Sequence, residues 1–189
     1  MAMEPRFTIR DAPSVSTHQI IEESLMAMHN GPPPFQWIKN DGSSLMGCYA
    51  PLSYSPSVVR GFFEVARAVY GSVKPRNREL AILGLLSILD APYVVYCHRS
   101  VASKVGITDE QYEHGLGGNV PNGLNEEEAM AYSLGRILTT LTGLLNESDW
   151  RKVISKLDKD QVVGIIHTIG GYRWVALLEQ VNGEDRRWS

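Results

Sequence analysis

The chain has 189 residues, 43% of them hydrophobic and 21% charged, with a net charge of −3 and a pI near 6.0. These proportions suit a globular protein able to bury a substantial core. No Lys/Arg cluster exceeds two adjacent residues, so a nucleic-acid partner is not expected.

Two cysteines, Cys48 and Cys97, are too few for a disulfide framework and have no metal-binding spacing. Every apolar stretch is interrupted well before the ~20 residues that a membrane span needs, and no membrane association is expected. The opening M-A-M-E-P-R-F lacks the apolar core of a signal peptide, so the expected compartment is the cytoplasm.

Residues 1–14 carry two prolines and no periodicity, and read as an extended arm or a disordered tail; residues 15–189 read as a single domain. A first helix is predicted from Thr17 to His29, burying Ile20, Ile21, Leu25 and Met28, and ending at Asn30-Gly31 before three prolines. Residues 31–53 form a long irregular segment whose Phe35, Trp37, Met46, Cys48 and Tyr49 suggest a lid or pocket wall. Ser55-Pro56 then starts a helix to Tyr70, predicted to bury Val58, Val59, Phe62, Val65, Ala66 and Val69.

Pro75 opens the next helix, in which Glu79 shares a face with Ile82, Leu83 and Leu86. After a turn at Asp90-Ala91-Pro92, the following helix aligns His98 with Val94, Val101, Ala102 and Val105. A carboxylate and an imidazole facing a core are costly unless they satisfy each other or serve a reaction.

Thr108 and Gln111 fit a capping box for a short helix. Asn125 caps a longer one, whose Glu126-Glu127-Glu128 complement the helix dipole and read as structural. A short helix over Asp149–Leu157 and a long one over Asp160–Val181 complete the chain. The last is apolar nearly all round, which predicts a central position, and Gly170-Gly171 permits close contact or a kink. No strand-type alternation competes, and the expected class is all-α.

R-E-L-A-I-L followed by Y-x-x-x-x-H-x-x-x-A-x-x-x-G resembles the carboxymuconolactone decarboxylase and alkylhydroperoxidase D-like family. Gly31-Pro32, Ser55-Pro56, Pro75-Arg76, Arg78-Glu79-Leu80, Tyr93, His98, Ala102, Gly106, Pro121 with Leu124, and Gly171-Tyr172 fall in that family's order. The resemblance covers residues 31 to 182 and implies an alkylhydroperoxidase D-like helical bundle that assembles into homo-oligomers. His98 follows Glu79 by the family's nineteen residues. The two dithiol positions of the peroxidase branch fall on Ala91 and Val94, so dithiol chemistry is not expected. The resemblance is to the decarboxylase-like members, which keep the carboxylate and imidazole without the cysteines.

The resulting expectation is a cofactor-independent enzyme acting on a small acidic or phenolic/keto molecule. It would decarboxylate that substrate or move a proton through an enol or carbanion. Glu79 is the candidate base or orienter of His98, and pairing with Arg76 or Arg78 is its structural alternative. His98, with a usual pKa of ~6.5, suits proton transfer near neutrality, or else is a satisfied core histidine.

Tyr93 and Tyr96 are candidate oxyanion donors, with interior packing the equal alternative. Cys97 reads mainly as a small buried hydrophobe; as a reactive thiol, alone or with Cys48, it would imply a peroxidase instead. Arg99 and Arg173 are candidate carboxylate ligands, Arg99 more readily explained as solvated. Trp37 belongs to the proposed wall, and its ring suggests a flat, conjugated substrate. His167 is placed at a pocket, core or oligomer interface. No zinc-type ligand spacing or phosphate-cradling glycine motif occurs, so neither metal nor cofactor is expected. A non-catalytic oligomeric ligand-binding scaffold is the third reading.

Overall fold

A computed structural model describes residues 5–8, 16–42 and 44–183. Among them the structure is all-α, with no strand beyond an isolated antiparallel bridge between Ile38 and Leu45. The predicted arm is described only over residues 5–8; its other residues lie outside the described ones.

The helices in chain order are α1 (Ser16–His29), α2 (Tyr49–Leu52), α3 (Pro56–Tyr70), α4 (Pro75–Leu86), α5 (Pro92–Lys104), α6 (Asp109–Leu116), α7 (Glu126–Thr140), α8 (Glu147–Ile154) and α9 (Lys159–Asn182). Two compact units divide the chain. The first comprises Met1–Arg67, Ala91–Ser100 and Trp174–Ser189; the second comprises Ala68–Asp90 and Val101–Arg173.

In the first unit, Ile21 and Leu25 of α1 and Val59 and Phe63 of α3 join Leu45, Met46, Cys48, Tyr49, Ala50 and Leu52 in one apolar cluster with Tyr93 and Cys97. Residues 31–53 are therefore a wall of this core. Sequence patterning misses α2 because it is a single turn with Pro51 inside it. The predicted stripe of α3 is partly corrected. Val59 is buried, but Val58 and Val65 are exposed and Phe63 takes their place inside.

The arm residues dock on the same unit. Arg6 donates its backbone N–H to the Asn182 carbonyl at 2.9 Å, and Phe7 stacks edge-on against Tyr54. Asn182, itself fully buried, also donates its side-chain amide to the Gly47 carbonyl.

In the second unit, α4 packs chiefly against α7. Every residue from Asn77 to Leu86 is buried, so past its first two residues α4 has no solvent face. Two glycines permit the approach. A methyl on Gly84 would overlap the Tyr132 carbonyl oxygen, and one on Gly135 would overlap the Ala81 carbonyl oxygen.

The predicted capping box of Thr108 with Gln111 is present, and the predicted Asn125 cap is itself a capping box with Glu128. The acidic run is structural, as expected: Glu126 pairs with Lys156, Glu127 with Lys74 and Glu128 with Arg76. The helix α8 starts earlier than predicted because the Asn146 side chain caps it, accepting from the Asp149 N–H.

The central position expected for α9 is not what the structure has. Val163, Ile166, Leu177 and Val181 are each about half exposed along it. The helix is apolar all round, yet one side faces out of the chain.

Candidate functional sites in the two units

Helix α4 carries the first candidate. Asn77, Arg78 and Glu79 are polar residues in its first two turns, and all three are at most 4% exposed. Arg78 Nε donates to Glu79 Oε1 at 3.2 Å, and both side chains are almost wholly withdrawn from solvent. Arg78 Nη1 donates to the Tyr70 carbonyl at 2.9 Å, satisfying the C-terminal end of α3. The guanidinium carbon also lies 3.5 Å above the centroid of the Tyr70 ring.

Adjacent residues on a helix point about 100° apart, so this pairing depends on the long arginine folding back along its neighbour. Burial pushes the Tyr70 phenol up, the Glu79 charge adds to that, and the Arg78 cation opposes it. One cation thus serves a carboxylate, a helix end and a ring face. Of the two partners foreseen for Glu79, the structure selects Arg78. Arg76 pairs instead with Glu128 at 2.8 Å and reaches the Val105 carbonyl.

Helix α5 carries the second candidate, in the first unit. Its N-terminal amides are capped by a distant acid. Glu179, 3% exposed, accepts from the N–H groups of Tyr93 and Val94, the latter at 3.1 Å. Pro92, at the first helical position, has no N–H to satisfy. Sequence reasoning missed Glu179, because a lone acid among Leu177, Leu178 and Val181 offers no signal of an amide partner 86 residues away.

Tyr93, 1% exposed, donates its hydroxyl to the Gln36 carbonyl at 2.8 Å, and the Gln36 N–H donates to the Tyr96 hydroxyl oxygen at 3.2 Å. The two tyrosines therefore staple α5 to the 31–53 wall through the backbone of one residue, Gln36. Gly47, at φ +54°, lies against the face of the Tyr93 ring, where a methyl would overlap it, and Tyr49 meets that ring edge-on at 6.0 Å. Trp37 is half-buried on this core and meets His18 edge-on at 5.3 Å.

Cys48 and Cys97 are each 5% exposed and unoxidised, and belong to the same cluster. Burial pushes both thiols far up; the Glu179 charge adds to that for Cys48, and proximity to Cys48 does so for Cys97. Neither side chain is set up as a thiolate. Burial raises the Tyr93 phenol as well, with Cys97 adding to it.

The predicted residues are thus distributed. Trp37, Tyr93, Tyr96, Cys97, buried His98 (7% exposed) and half-buried Arg99 lie in the first unit, and Glu79 in the second. His167 is exposed on α9, so the core position considered for it is excluded, and Arg173 is exposed on the same helix. No cluster of three or more metal-ligating side chains occurs among the described residues. No helix among them is long and apolar enough to cross a membrane.

No family model, no curated protein and no solved structure matches the chain.

Proposed function

We propose that the chain is a cofactor-independent enzyme of the carboxymuconolactone decarboxylase-like kind. It decarboxylates, or moves a proton on, a small acidic or phenolic/keto compound. The observation that carries this reading is the ion pair of Arg78 and Glu79, in the stretch of α4 from Asn77 to Leu86 where every residue is buried. Enclosing two charges costs several kcal/mol per ion before pairing, and an apolar pair of similar volume is often as stable or more so.

The family resemblance, with its nineteen-residue spacing, assigns Glu79 the role of base and His98 that of proton donor. A β-keto or vinylogous acid carries its own electron sink. The protein then needs only a desolvated cavity, a base and a proton donor. Tyr93 donates to an enolate oxygen only by exchanging its bond to Gln36, which ties oxyanion binding to movement of the 31–53 wall.

A non-catalytic scaffold is the second reading, and the same salt bridge favours it, since Arg78 supplies Glu79 with a structural partner. The thiol peroxidase reading is the least supported, because both thiols are buried and held protonated. Exposed Val163, Ile166, Leu177 and Val181 support self-association of copies through α9.

The deciding experiment follows CO₂ release and deuterium incorporation in D₂O. It compares wild type, Glu79→Gln and His98→Ala on carboxylated lactones, β-keto acids and enolisable phenols. Turnover that needs both side chains supports the acid–base reading. Binding without turnover, unchanged by Glu79→Gln, supports the scaffold.

A further inference from the structure

We propose that Arg78 is the positioning residue of Glu79, and that it confines the site to substrates whose transferred proton is already acidic. Such protons lie between two carbonyl groups or on a vinylogous acid. This inference rests on the acid–base reading of Glu79 and deepens it.

The geometry makes Arg78 a fixed part. Its guanidinium is held from below by the Tyr70 ring at 3.5 Å, at one end by the Tyr70 carbonyl at 2.9 Å, and at Nε by Glu79 Oε1 at 3.2 Å. Tyr70, Arg78 and Glu79 all belong to the second unit, so the arrangement is built within one compact body. Arginine is suited to this task because its planar fork offers several donors at once while its face stacks on an aromatic ring. Lysine supplies the charge as a compact point, with no planar fork and no flat face to stack.

The chemical consequence follows from the charge. A neutral acid at Glu79 would leave the buried guanidinium without its counter-ion, so the pair holds Glu79 as carboxylate. A carboxylate stabilised in this way is also a weak base, because protonating it in the reaction forfeits part of that ion pair. A weak base removes only an acidic proton at a useful rate. Simple ketones, whose α-protons are far less acidic, fall outside its reach.

The test uses the full chain and a graded series: a cyclic 1,3-dione, a β-keto ester and a simple cyclic ketone. Deuterium exchange yields kcat and KM separately for wild type, Arg78→Lys, Arg78→Met, Tyr70→Leu and Glu79→Gln, with folding checked by circular dichroism. Wild type is expected to exchange the dione fastest and the ketone not at all. Arg78→Lys is expected to lower kcat on the dione about 10-fold with KM within about 2-fold, the mark of lost orientation rather than lost binding. Tyr70→Leu, which leaves both charges in place, should do the same. Arg78→Met should lose about 100-fold or fail to fold, and the lysine and leucine variants keep the test decisive in that event.

If Arg78→Lys and Tyr70→Leu keep wild-type kcat while Glu79→Gln is inactive, Arg78 has no positioning role and the acid–base reading stands. If Glu79→Gln keeps wild-type kcat, the acid–base reading itself fails. A wild type that exchanges the simple ketone as fast as the dione overturns the substrate class. One inert toward the whole series overturns both that class and the reading beneath it.

Discussion

Gly47 and Glu179 fix the same helix from opposite directions, one by having no side chain and the other by having a charged one. Gly47 sits at φ +54° with its α-carbon against the Tyr93 ring, so Gly47→Ala meets both a strained backbone and a filled space. The backbone term alone is ~1 kcal/mol, and the overlap adds to it. Denaturant unfolding should show the variant destabilised by more than that term. Glu179→Ala leaves the Tyr93 and Val94 amides buried without their acceptor and should cost about 2–4 kcal/mol in the same measurement.

The thiols give a third outcome. Cys48 and Cys97 should resist an aromatic disulfide reagent at pH 8 in the folded protein, then react fully once it is unfolded. Rapid reaction of one thiol in the native state would revive the peroxidase reading.

At the scale of elements, the crossing of α4 and α7 depends on reciprocal glycines. Gly135→Ala would push a methyl into the Ala81 carbonyl, which belongs to backbone and cannot swing aside. A loss of about 2 kcal/mol or more in thermal or urea unfolding is expected.

The same pair of helices carries a pH signature. Hydrogen bonding from Lys74, with Asn77 helping, holds the Glu127 carboxyl below its usual range. A folded-state pKa below the unfolded one contributes stability that is present above the unfolded value and is lost as pH falls through the folded one. Melting temperatures should therefore drop between neutral pH and about pH 3, and Glu127→Gln should shrink that drop modestly, since the pair is partly exposed.

Caps were legible because they act over three or four residues, as at Thr108 and Asn125. Buriedness was not. Helix α4 is enclosed on all sides from Asn77 onward and so has no amphipathic stripe to read. Helix α9 has an equally uniform apolar pattern but an exposed side, and hydrophobicity alone does not separate the two.

At the scale of the molecule, charge and apolar surface lead to different expectations. The modest net charge of −3 gives little electrostatic steering of any partner. The exposed side of α9, with Val163, Ile166, Leu177 and Val181, supports association of copies. Light scattering should then report a mass above the 21.0 kDa of one chain, and Leu177→Lys should lower it toward that value. A monomeric wild type at high concentration would remove that proposal.

The burial of Glu79 and His98 was also legible, because they stand out as polar residues on apolar faces. Arg78 as the chosen partner, and Gln36 and Glu179 as the groups that hold α5, depend on contacts that no local pattern records.

The enclosure of α4 has a consequence for how the second unit breathes. Solvent reaches the amides between Asn77 and Leu86 through no surface of the helix, since each of those residues is buried. Their hydrogens can exchange with deuterium only when that unit opens. Those amides should therefore be among its most protected, sharing one common opening free energy.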